Sequence, residues 1–280
     1  MQPQPARIVS GLQREGQRRV ARAGAQHDVA DAASGEFVDD GGRLGGGRVH
    51  GTQSSAAGRY APDAPGGTPP MPRAVRDEGH SKNGAMRTVF DPTELGTGRF
   101  YRLMTATIVP RPIAWVSTVS ADGVPNVAPY SFFTVAAVTP PVVQFTSVGR
   151  KDSLRNIEET GEFVINVATV PLMERVNATS AGFAHDVDEF AAVGLRPERS
   201  ERVHPPRVAE APAAIECTLH RVIEVGDCFV VMGDVVAVSV RTDVLAEDGM
   251  PDFAALAPAS RLGRNEWGLT PAVRHLDRPE

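Results

Sequence analysis

Six consecutive residues, Gly149-Arg150-Lys151-Asp152-Ser153-Leu154, put two cations and a hydroxyl where a strand-length apolar run gives way to a helix-forming one. The first turn of a helix offers unpaired N–H groups and a partial positive charge, and both suit a phosphate. Arg150 can add bidentate hydrogen bonds, Lys151 a mobile point charge and Ser153 a hydroxyl donor. On this segment alone, a capped surface helix preceded by two solvated cations explains the pattern equally well.

An upstream segment breaks the tie. Arg111-Pro112, Ser117-Thr118 and residues 126–131 place polar side chains beside strand backbone that Pro125 and Pro129 free from pairing. A flat heteroaromatic ring with donors and acceptors on its edge can use such backbone. Trp115 and Tyr130 could stack on it, although an aromatic on a strand more often belongs to a core. Together the two segments suggest a nucleotide-like ligand, and the residues alone leave its class open.

Other candidates are weaker. His185 lies among Asp186, Asp188 and Glu189, but side chains this close in sequence on a turn are usually solvated, and no metal site is assigned. His204 and His220 have no evident partner, and no Ser/His/Asp set or Cys nucleophile stands out. Cys217 and Cys228 lie on two apolar runs that pair as a hairpin, where they could face each other. They are read instead as two reduced, half-buried thiols, and their spacing matches no metal motif.

The elements that must position these residues are short. Residues 113–120 (IAWVSTVS) form a strand, and Ala121-Asp122-Gly123 supplies a tight turn into a second arm at 124–133, irregular or at a sheet edge because of its prolines. Residues 142–147 form a third strand, followed by a helix from Asp152 or Ser153 that Gly161 ends, with Leu154 and Ile157 on its apolar face. Residues 162–168 form a fourth strand, and Pro171 suits the first turn of a helix running to Val176. A helical turn around Asp188-Glu189-Phe190 ends at Gly194, residues 196–212 read as a surface loop, and 215–225 with 228–240 form a long hairpin tipped by Gly226-Asp227. Short strands, tight turns and brief helices predict a mainly β, antiparallel barrel or sandwich rather than a parallel doubly wound sheet.

Composition changes sharply along the 280 residues. Up to about Asn83, runs such as Gly41-Gly42-Arg43-Leu44-Gly45-Gly46-Gly47-Arg48 carry too little apolar surface to offset the entropy of ordering the chain. Residues 1–85 are therefore read as an unfolded extension or as translation assigned from a start upstream of the true one. Met86-Arg87-Thr88-Val89-Phe90 is a natural opening for a folded domain at 86–280, and the second reading is favoured. The formal net charge of −5 and the lack of a basic stripe in the folded part speak against nucleic acid. The apolar stretch 135–145 is broken by Thr139-Pro140-Pro141, so no membrane span is expected, and no apolar region follows the arginines near the N-terminus. A cytoplasmic location is the expectation.

The run Phe100-Tyr101-Arg102-Leu103, then residues 105–133 (TATIVPRPIAWVSTVSADGVPNVAPYSFF) and 140–169 (PPVVQFTSVGRKDSLRNIEETGEFVINVAT), resembles the flavin reductase-like, FMN-binding split-barrel family. The likeness continues through Asp188-Glu189-Phe190, Pro205-Pro206-Arg207-Val208 and Ile215-Glu216-Cys217, covering nearly all of 86–270. The resemblance implies a six-stranded antiparallel Greek-key split barrel with short added helices, assembled as a homodimer with FMN near the interface. It implies that Arg111, Ser117 and Thr118 line the flavin, and that Asn126, Pro129, Tyr130 and Ser131 sit along the ring and ribityl chain. The phosphate would fall to Ser131, Ser147, Arg150, Lys151 and Ser153, with Asp152 capping the helix. The implied activity is transfer of hydride from NAD(P)H through FMN to flavin, oxygen or another acceptor, with no side chain named as catalytic. A flavin-binding electron carrier or sensing module is the alternative, and a tetrapyrrole handler a third. Where the family often ends in a Gly-rich stretch followed by Tyr, this chain runs from Arg261-Leu262-Gly263 to Trp267.

Overall fold

A computed structural model describes residues 87–279. The expected boundary at Met86 and the whole 1–85 segment lie outside the described residues.

Seven strands form one antiparallel sheet: β1 (Ala114–Val119), β2 (Pro125–Tyr130), β3 (Phe133–Ala137), β4 (Val142–Val148), β5 (Glu162–Val167), β6 (Ala213–Val225) and β7 (Cys228–Val240). Their order is β2-β1-β5-β6-β7-β4-β3, every pairing antiparallel. The two edge strands, β2 and β3, are consecutive in the chain and separated only by Ser131-Phe132. A sheet whose opposite edges are joined by two residues must curl strongly to bring those ends together, and the Thr146 N–H, donating to the Phe132 carbonyl at 2.9 Å, extends the β3–β4 ladder into the joining residues. The expected mainly β, antiparallel split-barrel class is the one observed.

Strand β2 occupies the edge that its prolines demand, bonded to β1 alone. Strand β1, by contrast, is buried on both faces. Ala114 and Val116 join Phe145, Phe163, Ile165 and Val231 inside the barrel. Ile113 and Trp115 pack on the other side against Val127, Leu172, Val176 and Phe190. This explains why residues 113–120 show no apolar–polar alternation.

The helices plug and flank this barrel: α1 (Thr97–Thr107), α2 (Asp152–Thr160), α3 (Met173–Ala178) and α4 (Glu189–Ala192). Leu154 and Ile157 of α2 are fully buried in the barrel core, which fixes its first turn beside β2. Gly161 ends α2 with φ 74°, a left-handed conformation that costs glycine nothing. The helix expected from Pro171 begins as a 3₁₀ turn (Val170–Leu172) and continues as α3 to Ala178. Gly233 sits at an irregularity between β6 and β7 because a Cβ there would lie 2.3 Å from the Phe163 ring. In the same hairpin Cys217 pairs with Val235 and Cys228 with Val225, so the thiols do not face each other and both are free. The register places Cys228 at the turn end of the ladder and Cys217 well along it, which spacing alone does not reveal.

His204 bonds Glu162 through Nδ1 at 2.9 Å, and His220 lies 3.1 Å from Asp234. Both histidines thus have the partners that the sequence left unidentified. Among the described residues, no helix is long and apolar enough to cross a membrane.

Candidate functional site

The start of α2 shapes the larger of two adjoining clefts. Its N-cap is Lys151, in extended conformation, and no side chain caps the helix. The expectation that Asp152 caps it is therefore corrected: Asp152 is the first helical residue, and its carboxylate contacts Arg155 at 3.1 Å and His185 at 3.2 Å. The first N–H groups of α2 are left for solvent or a ligand.

A cleft of about 330 Å³ opens over this turn. Its floor is Asn126, Ala128, Pro129 and Tyr130 of β2, its basic end is Arg150 to Ser153, and its far wall is Thr179 to Phe183 with Glu189. Seven of the twelve expected residues meet here: Asn126, Pro129, Tyr130, Arg150, Lys151, Asp152 and Ser153. Lys151 has no carboxylate partner among the described residues, whereas Arg150 forks onto Glu158 and lies over the Phe229 ring, 5.0 Å from its centroid. That pairing, one and a half helical turns along α2, raises the Arg150 pKa and makes Lys151 the more available cation.

A smaller cleft of about 150 Å³ shares Pro129 and Ser180 with the larger one and adds Ile113, Ser131, Asn177, Arg261 and Trp267. Ser131 therefore stands at this end of β2 rather than with Lys151. The other four expected residues line neither cleft. Arg111 is buried and donates to the carbonyls of Thr105, Ile108 and Leu262, tying α1 to the C-terminal segment. Ser117 donates to the Pro206 carbonyl at 2.6 Å, and Ser147 braces the turn before α2 by donating to the Gly149 carbonyl at 2.9 Å. Thr118 is fully buried behind Asn126, to whose Oδ1 it donates at 3.3 Å.

Tyr130 joins both worlds. Its ring belongs to the barrel core, 4.7 Å from Phe145. Burial pushes its hydroxyl up to about 12. Ser153 and Ser147 oppose that shift, but their own protons go to Asn126 Oδ1 and the Gly149 carbonyl, and the phenol oxygen has no hydrogen-bond partner. A buried, unpaired donor at the base of a cleft is costly unless a ligand meets it. Trp115 cannot stack on a ligand; it is fully buried, and its Nε1 donates to Thr179 Oγ1 at 2.9 Å, pinning the far wall.

Glu189 is the residue that the sequence did not assign. Asp188 caps α4, and the next residue turns its carboxylate inward to accept the Val127 N–H at 2.9 Å. Burial first, and the charge of Asp152 second, raise it to about 7, while the Val127 N–H and Asn126 pull the other way. Asp-Glu-Phe gave a capping signal; nothing local says that its Glu reaches a strand some 60 positions away.

Residues 105–256 match the family model described as flavin reductase like domain. The chain belongs to the flavin reductase-like family. Among solved structures, nitrilotriacetate monooxygenase component B from Bacillus cereus is 32% identical, with a TM-score of 0.65 over 69% of this chain and 100% of that one. The 2-nitrobenzoate 2-nitroreductase NbaA of Pseudomonas fluorescens is 30% identical, with a TM-score of 0.64 over 69% and 96%. Flavoredoxin of Desulfovibrio vulgaris (Miyazaki F) is 26% identical, with a TM-score of 0.56 over 60% and 90%.

Proposed function

We propose that this member of the flavin reductase-like family binds FMN and acts as an oxidoreductase, taking hydride from NAD(P)H and passing electrons to flavin or another acceptor. The observation that carries the reading is the uncapped first turn of α2, flanked by Lys151, facing the proline-bearing edge strand across one continuous cleft. The residues fit such a group: the unpaired Tyr130 hydroxyl and the free N–H groups of α2 want acceptors, and a phosphate with its ribityl chain is rich in them.

Lys151, Ser153 and the α2 backbone would hold the phosphate, with Arg150 joining once it releases Glu158. Asn126 and Tyr130 would bond the ribityl chain, and Pro129 with Ser131 would border the ring where the two clefts meet. FMN, when bound, supplies hydride acceptance and onward electron transfer. The chain's own part is to hold and orient it: the Thr179 to Phe183 wall, pinned by Trp115, shields one side from water. No GxGxxG fingerprint is present in the sequence, which favours a nicotinamide docking on an exposed ring face over a dedicated dinucleotide domain.

A homodimer is part of the proposal. Val135 on β3 and Val138 just beyond its end are 67% and 84% exposed, an apolar edge that a second copy would cover. Light scattering on the purified protein is expected to give twice the chain mass.

The test is twofold. Mass spectrometry of the small molecule that copurifies is expected to identify FMN. Anaerobic mixing with NADH or NADPH is then expected to bleach the flavin absorbance rapidly. Bound flavin that neither nucleotide bleaches would support the second reading, an electron carrier, which the likeness to flavoredoxin favours.

A further inference from the structure

The smaller cleft ends in a cation without a counterion. Arg261 lies on a two-residue strand, Ser260–Arg261, held between Arg111–Pro112 on one side and Trp267–Gly268 on the other. Its guanidinium stacks over Trp267, 4.9 Å from the ring centroid, and Nη2 donates to the Arg264 carbonyl at 3.1 Å. No carboxylate pairs with it among the described residues, and its partner in register is another cation, Arg111. Burial lowers the pKa of both guanidinium groups, Tyr101 opposes that shift in each, and the charge of Arg261 lowers that of Arg111 further. A guanidinium has five donors, and stacking on an indole satisfies none of them. The support is stiff: a Cβ on Gly268 would lie 2.3 Å from Ser260 Oγ, and one on Gly263 2.9 Å from Ala106, so the C-terminal turn fits tightly on its neighbours.

A half-buried cation with no carboxylate partner, on a tightly fitted hairpin beside an aromatic platform and opening into a cleft, is suited to a planar organic anion. We propose that the smaller cleft is a subsite for the acidic group of the redox substrate, with Arg261 gripping a carboxylate or phosphate and Trp267 flanking the attached ring. The proposal rests on the flavoprotein reading above and deepens it. Asn177 and Ser180 supply polar edges on the opposite wall, and Pro129 marks the border with the cofactor's cleft.

Two kinds of anion fit this chemistry: the pyrophosphate of a pyridine nucleotide donor, and an acidic acceptor such as free FMN. Stopped-flow measurements on the flavin-loaded protein, its Arg261→Ala and its Arg261→Lys variants separate them. If the donor binds here, half-saturation for NADH or NADPH rises about tenfold or more in Arg261→Ala, as expected for loss of a charged hydrogen-bond pair. If the acceptor binds here, the same rise is seen with free FMN and not with riboflavin, which lacks the phosphate. Arg261→Lys is expected to recover part of the loss, and flavin content to stay at the wild-type level. Unchanged half-saturation for every partner, or loss of the resident flavin, would overturn the proposal, the latter by giving the cleft to the cofactor itself.

A second measurement stands apart from the flavoprotein reading. Titrating the flavin-free protein with benzoate and with neutral benzamide, followed by the fluorescence of Trp267 (Trp115 being wholly buried), is expected to show a response to benzoate that weakens about tenfold in Arg261→Ala. Equal responses to both probes would sink the charge recognition even if the protein proved to be a working reductase.

Discussion

Two polar clusters flank the middle of β1, built from the same residue types, and they differ in whether their hydrogen bonds close. In the first, Asn166 donates to the Trp115 carbonyl at 3.0 Å and to Ser117 Oγ at 3.1 Å, accepts the Val208 N–H at 2.7 Å, and Ser117 passes its proton to Pro206. In the second, Ser153 and Thr118 both donate to Asn126 Oδ1, and Asn156 donates to Thr118 at 3.0 Å. Tyr130 Oη and Asn156 Oδ1 remain unpaired. A closed network holds two segments together and offers nothing to a ligand, whereas an open one is already oriented for a partner that the protein lacks. The difference separates the expected site residues that brace the fold, Ser117 among them, from those that face the cleft.

The largest expected effect comes from the open side. Replacing Arg150 and Lys151 together with Ala should weaken FMN binding on the order of 100-fold, read by calorimetry, while the denaturation midpoint hardly moves. Unchanged affinity would remove the phosphate from the start of α2. On the closed side, Asn166→Ala should destabilise the fold by about 2–4 kcal/mol, because the buried Val208 N–H loses its acceptor and the Ser117 oxygen and Trp115 carbonyl lose a donor. Flavin affinity of the folded fraction should stay as it was, and a loss of affinity with no loss of stability would invert the assignment of the two clusters.

Tyr130→Phe is a finer test. Removing an unpaired buried hydroxyl should leave the flavin-free protein as stable or more stable by about 1 kcal/mol, yet lower FMN affinity by a similar amount. Destabilisation of the flavin-free protein would show that the phenol already has a partner. A pH-dependent test concerns Glu189. Its carboxyl is raised from an ordinary 4.5 to about 7, so the folded chain binds this proton more tightly than the unfolded one. The associated stability is fully present below about 4.5 and is lost as pH rises towards about 7. Urea midpoints across that window should decline in the wild type and flatten in Glu189→Gln; identical slopes would show the carboxylate to be solvated.

Much of the fold is legible because its signals are local. The long hairpin expected at 215–225 and 228–240 is Ala213–Val225 and Cys228–Val240, and the prolines of β2 correctly announce an edge. Gly161 ends α2, Asp188 caps α4, and each works within one or two turns of its own position. The phosphate-facing corner is legible for the same reason: a helix start and its flanking cations are one contiguous stretch.

Other parts of the site are not local. Thr118 and Asn126 are register partners on one face of the sheet, and it is the docking of α2, whose Asn156 donates to Thr118, that buries the first and leaves the second lining the cleft. Arg111 reads as a ligand-facing cation beside two prolines, but the docking of α1 and the C-terminal turn supplies three carbonyls that claim it. Arg150 finds Glu158 only once α2 forms, and Arg261 joins the cleft by pairing with Arg111, 150 residues upstream, with Trp267 held in turn by Arg261.

By itself, then, the sequence determined the strand and turn positions, the antiparallel class, the family and the basic corner at Gly149 to Ser153, since each depends on residues within reach of one another along the chain. Only the tertiary structure decided which polar side chains are consumed in bracing the barrel, which carboxylate is drawn against β2, and where an unpaired arginine meets the second cleft. Those outcomes follow from desolvation and from long-range hydrogen-bond pairing, which become defined only when the sheet curls and the helices and C-terminal turn dock on it.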